Sequence, residues 1–387
     1  MKKTILFLLL SVTLLATSLI WADQSAAFPD ALAGSGLSVE DAQLVRERAV
    51  VMDKIDIILK RVQSEPHLAK NYAGYYLDDN GTLVVNFTQN VGLDRELKLP
   101  ATRYDIVTFS DAELDSVILT LHNAMMESSG RDDWKISYFI KDARKNRVLI
   151  CVDSMDKGVL DRIRALVDPK LVEFKLESGK IALVSNIVNG KNTGGVGFSD
   201  HSTIGFRARR YIDGSYQFGF ITTGHISATE GTQFVDNIDQ NGNGTLVGTL
   251  KIKRITNNVD ASFIQAAYLR TPSKTFMNGD SYAYILQNVP QEMLVESYGF
   301  KSGRKTGYIL NNVWQGWAGD NYMYDMVQAS FPAQGGDSGA AITYWRYVGS
   351  GSAVRCVTGV LISTHPDGWS VFAKVNSVLA ELGAQDY

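Results

Sequence analysis

The stretch that most constrains this chain is residues 334–339, which read Gln-Gly-Gly-Asp-Ser-Gly. Three glycines within five positions are unfavourable in the interior of a helix or strand, so the stretch predicts a tight loop. In such a loop the Ser338 hydroxyl would lie beside the backbone N–H groups of Gly336 and of Ser338 itself. That combination is the physical requirement for a serine nucleophile with an oxyanion hole.

A serine hydroxyl is a weak nucleophile and needs a general base, which in turn needs a group to orient it. His225 is one of five histidines in the chain and ends an apolar, β-rich run at 220–225, so its imidazole is predicted at the end of a strand. Asp260 precedes a second apolar stretch at 261–264. The pattern therefore predicts the catalytic residues His225, Asp260 and Ser338.

Taken together, these motifs resemble the chymotrypsin-like serine proteases. They are most similar to the bacterial branch that includes α-lytic protease and the streptogrisins. The resemblance is carried by residues 223–225, 259–263 and 335–339, in the order of the chymotrypsin-type triad, and by the glycine-containing segment 301–307. It covers the chain from about residue 181 onward.

Two positions depart from that family pattern. Ala340 stands where the family usually has a second glycine after the serine loop, and Ile226 stands where many relatives have a disulfide cysteine. Because alanine adds only a methyl group, we expect a tolerated packing change at 340.

The resemblance implies two six-stranded β-barrels with the active site in the cleft between them. His225 and Asp260 would come from the first barrel and Ser338 from the second. It also implies a secreted serine endopeptidase that is made with a large pro-region, which assists folding and then inhibits the product. The substrates would be proteins or peptides, and a monomer is expected.

Two other functions stay open at this stage. The first is a secreted binding protein on a protease-like fold without turnover. The second is an esterase, which is less favoured because the strand–elbow–helix pattern of α/β-hydrolases is absent around Ser338.

Length and composition bound the architecture. A chain of 387 residues predicts two or three domains, and 45% hydrophobic with 20% charged residues is a globular balance. The formal net charge of −3 gives no indication of nucleic acid or of an anionic membrane surface as partner.

The first 22 residues are typical of a secretory signal, which predicts an extracellular protein. Lys2 and Lys3 form the positive region, residues 5–20 the apolar run, and Ala22 a cleavage residue. An uncleaved anchor is the alternative, but the run is near the lower limit for a spanning helix, so no stable membrane association is expected. Residues 23–37 are rich in Ala, Ser and Gly and are predicted to be a linker.

Residues 38–180 are predicted to form an α+β pro-region. Its first part, 38–96, combines a long amphipathic helix capped by Ser38 with a hairpin around Asn80-Gly81. Its second part, 97–177, has the element order β-α-β-β-α-β, which predicts a ferredoxin-like fold.

After residue 178 helical periodicity disappears and short strands alternate with turns, so 181–387 is predicted to be an all-β protease domain. Cleavage between the two parts is expected between residues 177 and 185. A slowly folding β domain is consistent with a pro-region that templates its late strands.

Substrate specificity is weakly indicated. The pocket should be walled by residues 329–334 and 360–363, with Ser330 and Ser363 as candidate substrate-binding residues. No acidic residue lies at the expected pocket base, so a medium apolar or aromatic preference is the default. Alternatively, Ser330 and His365 could together bind an acidic side chain.

No metal or cofactor is expected. Residues 239–244 imitate the start of an EF-hand loop, but Leu250 stands at its twelfth position in place of glutamate. A bridge between the two cysteines, Cys151 and Cys356, is not expected, and Cys356 is predicted to be a small strand hydrophobe. His67 and His122 are predicted to be surface or half-buried histidines.

Overall fold

A computed structural model describes residues 38–92, 99–128, 134–177, 182–183, 197–198, 202–226, 228–236, 245–268, 272–276, 280–285, 291–348 and 352–387. The predicted signal (1–22), the linker (23–37), the loop at 239–244 and His201 lie outside these residues.

The described helices are α1 (Val39–Ser64), α2 (Pro66–Asn71), α3 (Asp111–Met126), α4 (Lys157–Arg164) and α5 (Val375–Leu382), with a 3-10 turn at Pro169–Leu171. The described strands of the first half are β1 (Tyr72–Leu77), β2 (Leu83–Phe87), β3 (Thr102–Ile106), β4 (Ile136–Asp142), β5 (Arg147–Val152), β6 (Val172–Leu176), β7 (Ala182–Leu183), β8 (Gly197–Phe198) and β9 (Ser202–Thr203). Those that follow are β10 (Phe206–Ile212), β11 (Ser215–Thr222), β12 (Gln233–Asp236), β13 (Thr245–Ile255), β14 (Asp260–Ala266), β15 (Tyr284–Ile285), β16 (Leu294–Gly299), β17 (Gly303–Ala318), β18 (Asn321–Ala329), β19 (Ala341–Val348), β20 (Ser352–Thr364), β21 (Ser370–Lys374) and β22 (Ala384–Gln385).

The predicted long helix and hairpin are both confirmed. Ser38 Oγ accepts the Asp41 N–H at 3.0 Å and caps α1, which ends at Ser64 because Pro66 begins the next helix. β1 pairs antiparallel with β2, and the carboxylate of Asp78 accepts the N–H groups of Asn80 and Thr82 to hold the turn.

The second part of the pro-region has the predicted order of elements but not the predicted sheet. In a ferredoxin-like fold all four strands pair in one sheet. Here β3 pairs in parallel with β2, while β4, β5 and β6 join the large sheet of the protease domain. The reason is that long strand β17 offers β4 an edge, so the pairing partner comes from far along the chain.

The first sheet of the predicted protease domain has the order β12-β13-β14-β11-β10-β22. β22 pairs with β10, so the C-terminus completes a sheet of six strands. The apolar cluster on one face of this sheet contains the predicted departure Ile226, which is fully buried and packs with Phe220, Leu250 and Ile264.

The second sheet of the predicted protease domain closes on itself. Its strands follow the order β16-β19-β20-β21-β18-β17, and β16 also pairs with β17, which closes a six-stranded barrel. Beyond the barrel, β17 continues and pairs with β4 of the pro-region, with Gln315 opposite Phe139 and Gly316 opposite Tyr138.

The hydrophobic cores cross the predicted boundary between pro-region and protease. Trp317 and Tyr322 of the protease pack in the same buried cluster as Leu121 and Phe139 of the pro-region. Val45 of helix α1 packs in a cluster with Leu294 and Trp345 of the second barrel. The predicted pro-region is therefore part of a continuous packed structure.

Cys151 and Cys356 are both buried, and no disulfide bond joins them. Among the described residues, no helix has the length and apolar character needed to cross a membrane.

Candidate active site

Neighbouring strands bring the predicted base and carboxylate together. His225 follows the end of β11, and Asp260 is the first residue of β14. β11 and β14 pair antiparallel, with Thr222 opposite Ser262, so the end of one strand meets the start of the other. Two residues that are distant in sequence therefore become direct neighbours.

Asp260 is held as a buried, ionised carboxylate. Its Oδ2 lies 2.5 Å from His225 Nδ1, and its Oδ1 accepts hydrogen bonds from Thr223 Oγ1 at 3.0 Å, Gly224 N at 2.6 Å and His225 N at 2.8 Å. Burial alone would raise the pKa of Asp260, but the charge of His225 and the hydrogen bonds from His225 and Thr223 outweigh it, so the pKa lies below its usual value. The arrangement can therefore orient and stabilise a charged imidazole.

Glycine is required at position 224 because three groups crowd its Cα. A Cβ added there would lie 2.4 Å from Arg254 O and 2.8 Å from both Ala261 N and Asp260 Oδ1. The Gly-His pair of the sequence thus reflects close approach of the backbone to the carboxylate.

The serine loop begins with a turn that needs glycine. The Asp337 N–H donates to Gln334 O at 3.0 Å, and Gly336 has a φ of 104° at the third position of this turn. A positive φ at that position is characteristic of a type II turn and favours glycine. The side chain of Asp337 stabilises the loop, since its carboxylate accepts the N–H groups of Gln334, Lys301 and Ser302 at 2.8–2.9 Å.

Two backbone donors lie beside the serine. Within the described part of the chain, the N–H groups of Gly336 and Ser338 have no hydrogen-bond partner, although both residues are buried. The predicted departure Ala340 does not disturb this loop. Its N–H donates to Asp337 O at 2.9 Å, it is fully buried, and its φ is not positive, so a methyl group is accommodated.

The serine loop packs on the strand end that carries His225. Ser338 O accepts the Thr203 N–H at 2.7 Å and the Ser202 hydroxyl at 3.0 Å. A Cβ added to Gly339 would lie only 3.0 Å from Thr223 N, two residues before His225. The hydroxyl of Ser338 donates to Ile362 O at 2.9 Å, so its proton faces strand β20.

The two candidate substrate-binding serines have different surroundings. Ser363 is buried, and its backbone pairs with Leu183 of β7. Its hydroxyl has no hydrogen-bond partner among the described residues, and the hydroxyl that reaches Asp260 belongs to Thr223. Ser330 is half-buried, and its Oγ accepts the Tyr308 N–H at 2.8 Å, which ties it to strand β17.

Sequence reasoning missed the threonines that support the site. Thr223 contacts both Asp260 and His225, and Thr203 Oγ1 donates to Gly336 O at 2.8 Å and accepts the Phe300 N–H at 2.9 Å. A signal existed for Thr223, because a polar pair at the end of an apolar strand directly precedes Gly-His. Thr203 has no such local signal.

Three further histidines, His67, His122 and His365, lie among the described residues. His67 is exposed near Glu65, as expected. His122 is half-buried, as expected, but it contacts the predicted protease domain, with Nδ1 3.2 Å from Tyr322 Oη. His365, the alternative acid-binding residue, is buried and stacks on Trp369.

No protein-family model matches the chain, and no curated protein matches it. Similar solved structures include a glutamic acid-specific serine protease that uses a histidine triad in substrate binding, at 20% identity and a TM-score of 0.39, covering 51% of this chain and 100% of that one. Thermobifida fusca protease A (22%, TM-score 0.38) and Nocardiopsis protease (19%, TM-score 0.37) each cover 52% of this chain, with 98% of their own length.

Over about half its length, the chain is similar to bacterial chymotrypsin-like serine proteases.

Proposed function

We propose that this chain is a serine endopeptidase made as a precursor, which hydrolyses peptide bonds through an acyl-enzyme on Ser338. Residues 181–387 would be the protease, residues 38–180 its pro-region, and residues 1–22 the signal for secretion. Proteins or peptides would be the substrates, and the chemistry needs no cofactor.

The single observation that carries this proposal is the contact between His225 and Asp260. The Asp260 carboxylate is 1% exposed and accepts four hydrogen bonds. The three bonds to its Oδ1 already hold the turn, so the bond from the His225 ring is not needed to stabilise the fold. The fourth bond fixes the imidazole with its proton on Nδ1, which leaves Nε2 as the base.

In the proposed reaction, Ser338 Oγ attacks the carbonyl carbon of the substrate and His225 takes the hydroxyl proton. His225 then gives that proton to the leaving amine, and water repeats the sequence to release the acyl group. Because the Ser338 hydroxyl now donates to Ile362 O, its proton must turn away from that carbonyl before it can pass to the imidazole.

The oxyanion would be held by the N–H groups of Gly336 and Ser338. The turn at 334–337 fixes their positions before substrate binds, which is what makes such donors effective. Loss of one donor in a hole of this kind typically costs about 10²–10³ in kcat.

The pro-region would act as partner and inhibitor of the protease. Strand β7 pairs antiparallel with the end of β20, with Leu183 opposite Ser363 and Ala182 opposite Thr364. Addition of a strand to a sheet edge is a common mode of peptide binding. Strand β20, with which β7 pairs, also passes the nucleophile, because Ile362 O on this strand accepts the Ser338 hydroxyl. This pairing supports a processing bond shortly after Leu183, within the expected range 177–185, which would move the boundary between pro-region and protease from residue 180 to just after residue 183.

Labelling with a fluorophosphonate probe tests the proposal. The processed wild-type enzyme should react at Ser338, and Ser338→Ala should abolish both labelling and hydrolysis of a casein substrate. A folded wild-type protein that neither reacts with the probe nor cleaves casein would instead favour a binding protein without turnover.

A further inference from the structure

A buried carboxylate of the pro-region meets a buried imidazole of the protease just beyond the end of β20. Glu177 directly follows β6, and His365 directly follows β20. The two side chains are 2% and 1% exposed, and Glu177 Oε1 lies 3.8 Å from His365 Nε2. Neither residue has a role in the catalytic steps described above.

The protein holds the imidazole in one orientation. The His365 ring stacks on Trp369, with centroids 4.4 Å apart and planes 5° apart. Its Nδ1 accepts the Asp367 N–H at 3.1 Å, and since a neutral imidazole has one proton, that proton is then on Nε2. Nε2 has no hydrogen-bond partner in the described part of the chain, so a buried donor faces the Glu177 carboxylate.

The pro-region compensates only part of the cost of burying Glu177. Lys175 Nζ lies 2.8 Å from Glu177 Oε2, on the side away from His365. Tyr138 and Cys151 also adjoin the carboxylate. Burial, with the Glu177 charge adding to it, raises the pKa of the Cys151 thiol to about 12 and the pKa of Tyr138 well above its usual value, so both stay protonated. An ionised carboxylate is tolerated in such a place only where charges or donors surround it.

These residues fit a hydrogen-bonding subsite better than a metal centre. Glu177, His365 and Asp367 carry possible ligand atoms within 4.8 Å of one another. However, Asp367 Oδ2 lies near Nδ1, at 3.7 Å, while Glu177 lies near Nε2, so the carboxylates face opposite nitrogens of one ring. Lys175 also neutralises Glu177.

The position of His365 relates this contact to peptide binding. His365 is the next residue after Thr364, whose backbone pairs with Ala182 of β7. If a peptide pairs with β20 in the same direction as β7, the N-terminal end of the peptide therefore lies toward the His365 ring.

We propose that His365, oriented by Trp369 and Asp367, forms a subsite for a carboxylate side chain at the end of the peptide-binding strand. Glu177 fills this subsite in the precursor, and after processing it accepts a glutamate or aspartate of a bound peptide, upstream of the bond that is cut. The role of β20 as peptide-binding strand rests on the proposed function, whereas the contact between Glu177 and His365 does not.

Amide hydrogen exchange in the full-length chain tests the contact directly. In a Ser338→Ala background, which keeps the chain in one piece, Glu177→Gln and His365→Asn should each speed exchange of the amides of β6 and of 356–364 about tenfold. Asparagine keeps an acceptor near the Nδ1 position and removes the Nε2 donor. The double variant should exchange no faster than the faster single variant, because both changes remove one interaction.

The matched control is Glu173→Gln. Glu173 lies on β6, four residues before Glu177, but its side chain is exposed and pairs with Lys145. This variant should therefore change exchange less than about twofold, because surface ion pairs contribute little. If the effects of the two single variants on exchange add up in the double variant, or if neither variant changes exchange, the subsite proposal is overturned.

A competition assay tests the ligand class in the processed enzyme obtained from the full-length chain. A peptide with the sequence of residues 172–184 should inhibit cleavage of a neutral reporter peptide at about a tenfold lower concentration than its Glu177→Gln counterpart. His365→Asn should remove the difference, since the donor that faces the carboxylate is lost. Equal potency on the wild-type enzyme would overturn the assignment to acidic peptides. If the reporter is not cleaved at all, the proposed function fails, and hydrogen exchange still decides the contact.

Discussion

At the scale of single residues, the candidate site depends on how one buried carboxylate is satisfied. Asp260 has donors from three consecutive residues, Thr223, Gly224 and His225. The backbone donors are built into the turn, so Thr223 is the only one whose contribution a side-chain substitution can remove without touching the triad.

Thr223→Val should lower kcat/KM by about tenfold to hundredfold, because a hydrogen bond to a charged group contributes about 1.5–3 kcal/mol. Thr223→Ser keeps the hydroxyl and is the matched control, with activity expected within a few-fold of wild type. Steady-state kinetics on a peptide substrate measures both. Equal activity of the valine and serine variants would show that the hydroxyl is not needed to position Asp260.

The lowered pKa of Asp260 predicts an acid-sensitive contribution to stability. Because the pKa is lower in the folded chain, the carboxylate stabilises the fold above the unfolded value of about 3.9, and this contribution is lost as pH falls through the folded value. Asp260→Asn in the Ser338→Ala chain should therefore show a smaller loss of Tm between about pH 5 and pH 2. Parallel Tm curves for the two chains would contradict this account.

At the scale of elements, one strand pairing joins the predicted pro-region to the predicted protease domain. β17 is long enough to close its own barrel and still pair with β4. Gly316 makes that approach possible, because a Cβ there would lie 2.4 Å from Tyr138 Cβ and 2.6 Å from Ser137 O.

Gly316→Ala should therefore weaken the pairing between β4 and β17, because the packed backbone of β4 cannot shift away from the added methyl group without a large cost. The yield of processed enzyme should fall about tenfold or more. Gly158→Ala is the control, because a Cβ at that helical position meets nothing within 4 Å. Probe labelling of processed enzyme measures the yield. An unchanged yield for Gly316→Ala would mean that this pairing is not needed for maturation.

The contact of helix α3 with the β17–β18 hairpin should depend on pH. Burial lowers the pKa of His122, and Gln315, which bonds it, only partly offsets this. Tyr322 and Tyr324 also face the ring, and the latter meets it edge-on at 4.6 Å. Since the folded value lies below the ordinary value of about 6.5, stability should fall as pH drops through that value.

Tm of the full-length Ser338→Ala chain between pH 8 and pH 5 measures this dependence. His122→Gln should flatten the curve, because the substituted side chain does not titrate, whereas His67→Gln, at an exposed position, should leave it unchanged. The same slope in the His122 variant as in its parent would rule out this histidine as the cause.

At the scale of the whole molecule, the predicted pro-region and the predicted protease domain share buried cores. Trp317 and Tyr322 complete the core of the pro-region, and Tyr138 and Cys151 pack in the main cluster of the protease. A chain dominated by pairings between distant strands folds slowly, so a preformed surface that binds one hairpin should lower the barrier.

Deletion of residues 38–180 should reduce the refolding yield of probe-reactive enzyme about tenfold or more, because the late strands lose their template. Separately produced 38–180 polypeptide, added during refolding, should restore the yield. Equal yields with and without the pro-region would contradict a role in folding, even if inhibition persisted.

Local sequence determined the features whose physical cause is local. Glycines at 336 and 224, the Ser38 cap and the Asn-Gly hairpin could be predicted because a turn, a close approach or a cap depends on a few adjacent residues. For the same reason the sequence alone indicated His225, Asp260 and Ser338 as candidates.

Only the tertiary structure decided which distant groups meet. The ferredoxin-like prediction was wrong because strand periodicity does not encode the partner of β3, which is β2. Thr203, the edge of β17 and the contact of Glu177 with His365 have no local signature either. Each arises when strands far apart in the chain pair, and pairing depends on the free energy of the whole packed molecule rather than on any short segment.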